Sequence, residues 1–463
     1  MNGLRAVGLF LAFIAVSLQV SAATSVTQHG ITWTFDKEYQ TGEYANGDYW
    51  VVGPVKVISI ENSFHKVEAG LDGSMINPGT DTKQGYDKRL SNYKENLNAA
   101  LTAGSPLELA VNSSLISSVS WIEGEPGSPR VDGATKTPRP TIRSMAILTC
   151  VAKAPPAGTF RPAYCGADKS PKYNVSQLNR SLLKNFAPPS SAPDAKKMEA
   201  KFAGPWIDHV NGWLGGHTHP DIHMKNYGRD LSVEIGEAAL MLQLDFSKLS
   251  GSPDKDGLLI KFVQLGIDLA GIADAGGGWP SDGGHCMARK WPILFAGLML
   301  GDAHMKDVGN WKTNFQEDMD TFYVSEAEIA TTASAGWKPD ARAPGLPYQE
   351  KHIGLPEWGI RHTTVPTADN LEWTATYREI NNLAYPGWVL AALVMDQRKA
   401  WNHEALFDYI DRAVVYGCPK YNTDAYRYGS VFIKDMWLAH RKDCGPVWTP
   451  NDPKDFYSQG SRK

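Results

Sequence analysis

The chain has no surplus of positive charge. Forty-six Lys and Arg stand against fifty Asp and Glu, a formal net charge of −4 over 463 residues, and no basic tract interrupts the even spread. Nucleic-acid binding, which draws on a clustered basic surface, therefore has no support. Long apolar runs are missing as well. After the first two dozen residues, no segment reaches the roughly 18 to 20 apolar residues of a membrane-spanning helix. Cysteine is scarce, five in all, and no CxxC pair occurs to hold zinc or carry thiol redox chemistry. No strict internal repeat is visible.

What is present begins at the N-terminus. Residues 1–5 carry one positive side chain, residues 7–18 are almost wholly apolar, and Val20 and Ala22 place small residues at the −3 and −1 sites. This pattern predicts a secretory signal peptide over residues 1–22, with cleavage before Ala23. The mature protein is expected to be secreted or periplasmic, without a membrane span. Export permits disulfides, and local spacing predicts Cys150–Cys165 and Cys418–Cys444. Cys286 is left over beside His285. It reads as a small buried hydrophobe, against the alternative of a Cys–His nucleophile pair.

Fifteen Trp and eighteen Tyr make the chain rich in aromatic faces. Such faces stack on sugar rings, and they also fill cores. A sugar-binding role carries weight only where a Trp stands beside Gly and polar residues, and Trp279, between Gly278 and Pro280, is such a residue.

The periodicity divides the chain. Residues 31–35 and 55–60 alternate apolar with polar, and Asn46-Gly47 lies between two strand-like runs as a hairpin signal. Residues 23–153 are expected to form an antiparallel β-sandwich, with residues 73–87 as a surface loop. Residues 154–204 are rich in Pro and Ala, a linker or wrapping segment with one short helix near 175–185. From residue 205 to 445 the period becomes helical, over 229–245, 256–274, 288–300, 381–396 and 402–417. Several of these helices are apolar on more than one face, so they are buried on both sides. The expected architecture is α+β multidomain, the β-sandwich followed by a mainly α-helical (α/α) toroid or partial toroid, with a tail over 446–463. A plain helical bundle is the alternative.

Three polar clusters stand at helix starts. The first holds His217, His219, His223, Asn226, Tyr227 and Arg229. Pro220 breaks any helix there, so the histidines read as cleft residues and no metal is expected. The second, at the end of a glycine-rich loop, brings His285 and Arg289 to one helical face at i and i+4. The third places Arg378, Asn381, Asn382 and Tyr385 at i, i+3, i+4 and i+7, on one face if the segment is helical. Pro386 would distort that helix, or mark a helix start near Tyr385. Four polar groups on one face need partners if buried, and lining a cleft supplies them.

These short motifs resemble helical-toroid polysaccharide lyases of the alginate-lyase and heparinase-like groups, over about residues 205–440. Arg378 followed by Tyr385 is similar to a pair in the alginate-lyase type. The Asn-His dipeptide of those enzymes is replaced by Asn226-Tyr227, while Asn402-His403 lies where Asn402 reads as a helix cap. The resemblance implies β-elimination of a uronic-acid polysaccharide, without a cofactor. One group neutralises the carboxylate, a base takes the C5 proton and an acid protonates the leaving oxygen. On this reading Asn226 and Arg289 hold the uronate carboxylate, His285 or Tyr227 is the base and Tyr385 is the acid. Arg378, Asn381, Asn382, Arg229, His217, His219 and Trp279 then bind the chain. The partner implied is an acidic polysaccharide or oligosaccharide.

Two other classes compete. A glycoside hydrolase on a helical toroid needs paired carboxylates across the cleft, for which Asp274, Asp282, Glu372 and Glu379 are candidates, Asp282 the best placed. Glu234 and Glu237 fall within a helix and read as ion-pair partners. A non-catalytic glycan-binding protein would need only the β region.

Overall fold

The computed structural model describes residues 21–104, 106–334, 347–359, 380–416 and 423–449. Arg378, Glu372, Glu379, Cys418, most of the leader and most of the C-terminal tail lie outside these residues. Among the described residues no helix is long and apolar enough to cross a membrane.

The β region is one curled sheet of eight strands: β1 (Ser21–Gln28), β2 (Ile31–Glu43), β3 (Tyr49–Val52), β4 (Val55–Asn62), β5 (Ser74–Ile76), β6 (Leu107–Leu109), β7 (Ser113–Ser120) and β8 (Ile142–Val151). The order is β5-β7-β8-β3-β2-β4-β6, with β1 on the other side of β2. β3 and β4 continue one antiparallel partner of β2, interrupted at Gly53-Pro54. Proline cannot donate to a ladder, and at this break the outer edge changes partner, from β8 to β6. The β3–β8 pair is parallel. The antiparallel pattern expected from hairpin signals thus holds for every pair but one, and the region is a single mixed sheet. The predicted cleavage site falls inside β1.

β7 and β8 are buried on both faces. Successive side chains on a strand point to opposite sides. Leu115, Val119, Ala146, Leu148 and Cys150 fill the inside of the curl with Trp33, Val51 and Val57. Ile116, Met145 and Ile147 join a second core, shared with the helices. The two regions are therefore continuous through one apolar interior.

The helical region is built on α1 (Ala195–Lys201), α2 (Gly228–Met241), α3 (Lys255–Asp274), α4 (Lys290–Leu300), α5 (Gln316–Asp320), α6 (Pro386–Val394), α7 (Glu404–Tyr416) and α8 (Val431–His440), with a two-stranded ribbon of β9 (Thr321–Tyr323) and β10 (Pro356–Trp358). Phe262 meets Phe295, and Gly266 lies against Pro292, so α3 and α4 run antiparallel. α2 crosses α6 where a Cβ on Gly236 would stand 2.9 Å from Gly387 Cα. Only glycine at both positions lets the two backbones touch. α6 begins with Pro386 at its first turn, where the missing N–H costs nothing.

Residues 154–204 do more than connect. Phe160, Tyr164 and Cys165 belong to the shared core, and two 3-10 turns stand where one short helix was expected. Arg161, fully buried, donates from Nε to Asp48 at 2.5 Å and from Nη1 and Nη2 to Asp268 at 2.9 and 2.6 Å. Asp48 belongs to the β2–β3 turn and Asp268 to α3, so one guanidinium joins three parts of the chain.

The predicted Cys150–Cys165 disulfide does not form. Cys150 faces the inside of the curl and Cys165 the shared core, and both carry free thiols. The alternation of strand faces separates them despite their nearness in sequence. Burial pushes the Cys150 thiol up to about 12. The Cys444 thiol stands 3.2 Å from the His440 carbonyl oxygen; its predicted partner, Cys418, lies outside the described residues.

Replacing Arg161 with Met removes the cation that stands between two buried carboxylates. Breaking a buried pair in this way costs about 3–5 kcal/mol, so urea unfolding should show a loss of that size. A loss below about 1 kcal/mol, within the range of exposed pairs, would show that the clamp is not structural.

Candidate active site

The glycine-rich loop is held from below. Gly283 O accepts from Gln316 Nε2 at 2.6 Å and from Asn381 Nδ2 at 3.1 Å, while Gln316 Oε1 accepts the Cys286 N–H at 2.9 Å. Gln316 also donates to Asp320 Oδ2 at 2.8 Å, and Ser281 donates to Asp320 Oδ1 at 2.6 Å. α5 thereby serves as a peg for the loop. Burial holds the Asp320 carboxyl well above its usual range, against hydrogen bonds from Ser281, Gln316 and Tyr385. Burial also raises neighbouring Glu317 to about 7. The Glu317 carboxyl caps the N–H groups of Ala288 and Lys290 where α4 begins.

Glycine permits a second close approach on the upper side. A Cβ on Gly284 would lie 2.1 Å from the Tyr227 hydroxyl, and one on Gly228 would lie 2.0 Å from the His285 carbonyl oxygen. The loop 283–285 and the start of α2 are therefore in direct contact. Arg229 N–H donates to Gly284 O at 2.7 Å. The result is a pair of side chains from two distant segments: the Tyr227 and His285 rings stand edge to face, centroids 4.9 Å apart and planes at 78°. Both are half-buried.

Around this pair lie groups from both regions. Asn226 Nδ2 donates to Arg139 O at 3.0 Å. The Arg229 guanidinium stands 5.2 Å from the Tyr227 ring and donates to Asp230 at 2.9 Å. The Asp282 carboxyl is raised by burial, against a hydrogen bond from the Trp213 backbone N–H. Trp213 keeps 38% of its surface exposed. The histidine loop is bolted to the sheet, because Thr141 N–H donates to His217 O, while Asp221 and Ile222 N–H donate to Ile142 and Arg143 O.

Other residues singled out in the sequence stand apart from this pair. Arg289 is buried and spent: Nε and Nη2 donate to Asp208 at 2.7 and 3.2 Å, and Nη1 donates to Met287 O at 2.6 Å. His219 meets the same carboxylate at 3.0 Å through Nε2 and Lys225 O at 2.9 Å through Nδ1. Burial opposes ionisation of Asp208, but Arg289 and His219 together hold its carboxyl well below the usual range. Both residues thus form a structural knot rather than a cleft wall. Trp279 is 1% exposed and stacked on Phe315, centroids 5.7 Å apart, so it has no face for a sugar.

The polar face expected around Tyr385 is dismantled. Asn382–Ala384 is a 3-10 turn and α6 starts only at Pro386. Asn381 points to Gly283, Asn382 accepts from Tyr409 at 2.6 Å, and Tyr385 accepts from Trp358 Nε1 at 3.0 Å. All three are buried. Burial raises the Tyr385 phenol well above its usual value.

His217, His219 and His223 enter three separate surroundings. His217 is fully buried on Thr141, and His223 packs edge to face with His29 at 4.7 Å. Among the described residues no cluster of His, Cys, Asp or Glu is arranged to hold a metal. Burial, then the Arg139 charge, lower His217 to about 4. Cys286 is buried and its thiol pushed up to about 12, chiefly by burial, which leaves it without nucleophilic character. Asp274 is exposed on the far end of α3 and pairs with His304 at 2.7 Å. Asn402 takes a left-handed conformation and closes the turn Arg398–Trp401.

Two residues escaped the sequence reading. Arg139, from the β region, accepts the Asn226 amide on its backbone oxygen and sets its guanidinium by Trp213, which no local pattern announces. Trp213 sits in Asn-Gly-Trp-Leu-Gly-Gly, beside glycine and polar residues, and so met the criterion applied to Trp279. Compared with known families, characterised proteins and solved structures, the chain matches none.

Two predictions follow from this geometry. Gly284→Ala should destabilise the protein by about 1–3 kcal/mol through overpacking, and by clearly less in a Tyr227→Ala background, where the clash is gone. Equal costs in both backgrounds, read by urea unfolding, would separate the glycine from the phenol. The second concerns His209, buried between Tyr86 and Tyr164 and lowered by burial to about 4. The unfolded chain takes up this proton near pH 6.5 and the folded one does not. Stability from this group is intact above that pH and is lost as pH falls toward 4. His209→Phe should flatten the fall in unfolding free energy between about pH 6.5 and 4.5; an unchanged slope would assign the acid sensitivity elsewhere.

Proposed function

We propose that the protein is a polysaccharide lyase that cleaves a uronate-containing chain by β-elimination. The observation that carries this reading is the Tyr227–His285 pair, two groups suited to proton transfer held 4.9 Å apart in a half-buried position. His285 takes the proton from C5, next to the carboxylate. The electron pair forms the C4–C5 double bond, the C4–O bond breaks, and the Tyr227 hydroxyl protonates the departing oxygen. With Tyr385 buried, acid and base both fall to this pair. Asn226, next in sequence to Tyr227, is retained as a carboxylate contact; Arg289 is not, because its donors are satisfied. We read the antiparallel α3–α4 pair and the helices packed on it as part of an (α/α) toroid, in keeping with the helical lyases these motifs resemble, and the protein as exported to meet a polymer outside the cytoplasm.

One observation favours a second reading. Asp282, a half-buried carboxyl raised above its usual range, lies in the same patch and would suit the general acid of a glycoside hydrolase.

The two readings differ in product. Alginate, glucuronan, hyaluronan, heparinoids and ulvan should be screened for chain ends that absorb in the ultraviolet through a new C=C bond. Tyr227→Phe and His285→Ala should each cost about 100- to 10,000-fold in rate, while Tyr385→Phe should act on stability more than on rate. Near-full activity in folded Tyr227→Phe and His285→Ala would sink the lyase assignment. Saturated products, with activity lost in Asp282→Asn, would establish the hydrolase.

A further inference from the structure

An enzyme that handles a polyanion needs a cation that is not already spent. Arg289 is closed off by Asp208. Arg139 differs in each respect. It stands on the β-region loop before β8, its side chain is 26% exposed, and among the described residues only one contact to a carboxylate engages it, Nη1 to Asp132 at 3.3 Å. Its Nε is buried and has no hydrogen-bond partner. Its backbone oxygen receives the Asn226 amide, so its main chain is tied to the residue that precedes Tyr227. Its guanidinium lies 5.9 Å from the centre of the Trp213 indole, which is 38% exposed.

The indole is itself held in place. His217, fully buried, meets it edge to face at 5.3 Å, and the backbone that carries it is tied down by the Trp213 main-chain N–H, which donates to Asp282. An exposed, immobilised indole beside a half-satisfied guanidinium is the pairing that recognises an anionic sugar. The ring's apolar face rests on the indole, and its carboxylate takes the planar N–H fork. We propose that Trp213 and Arg139 form a subsite for one uronate residue of the substrate, with Arg139 as its specificity-determining group. The proposal deepens the reading of the Tyr227–His285 site and rests on it for the identity of the ligand. It makes the β region part of the substrate-binding surface, since Arg139 is supplied from there and Trp213 from the helical side.

The test is binding to uronate oligosaccharides, oligomannuronate and oligoglucuronate, beside the same oligosaccharides with their carboxyls reduced to alcohols. The full chain is used. Wild-type protein should prefer one of the acidic forms by about 10- to 100-fold, the range of a hydrogen bond to a charged group. Arg139→Gln should abolish that preference while keeping the affinity for the reduced form, Arg139→Lys should restore part of it, and Trp213→Ala should weaken both. A folded Arg139→Gln protein that keeps the preference overturns the proposal, as does wild-type protein that binds neither form. The chemistry is judged apart from the subsite. An Arg139-dependent preference without unsaturated product upholds the subsite and removes the elimination mechanism. Unsaturated product with a preference indifferent to Arg139 does the reverse.

Discussion

The structure turns on the Arg161 guanidinium. It fills the space between Asp48 and Asp268 with full burial of all three groups. Each ion gives up hydration worth several kcal/mol, and the attraction in a poorly polarisable interior offsets that loss only when geometry is tight and every donor is used. Here Nε and both terminal nitrogens are engaged, the last donor contact going to Pro162 O at 2.9 Å. The consequence is positional. The β2–β3 turn, the wrapping segment and α3 cannot move apart without exposing an unpaired charge, and the sheet is thereby set against the helices in one orientation. Arg139 and the 141–143 backbone, which carry the β contribution to the site, depend on that orientation.

The candidate site repeats this logic with neutral groups. Its upper surface is made by glycines that admit the Tyr227 phenol and the His285 backbone at distances no Cβ would allow. Its underside is a chain of hydrogen bonds from Gly283 through Gln316 to Asp320, Ser281 and Tyr385. Support below and close approach above hold a loop that glycine would otherwise leave free to move. The polar residues predicted as catalytic are thus divided. Tyr227, His285 and Asn226 reach the surface, while Arg289, Asn381 and Tyr385 lie in the interior that positions them.

How much was legible follows from where the information resides. The helix over 256–274 is read within one residue of α3, and Pro386 marks the start of α6, because apolar spacing and proline chemistry act within a few residues. The α+β division and the alternating strands were legible for the same reason. The parallel β3–β8 pair was not, since it joins strands about a hundred residues apart in the chain. Trp279 and Trp213 carry similar neighbours, yet Phe315 stacks on the first, while among the described residues the second meets only one ring, that of His217 edge to face, and keeps 38% of its surface exposed.

The sequence by itself determined the division into strand-rich and helix-rich regions, the core of the longest helices, and the kinds of polar residue that collect at helix starts. Tertiary structure alone decided which of those polar groups are spent. Arg289 and Arg139 have the same side chain, but one meets Asp208 from another loop and the other keeps an unpartnered Nε beside an exposed indole. Local propensity acts through backbone geometry over a single turn or strand. Ion pairing and burial act between segments brought together only by the shared core, so the availability of a cation is a property of the fold.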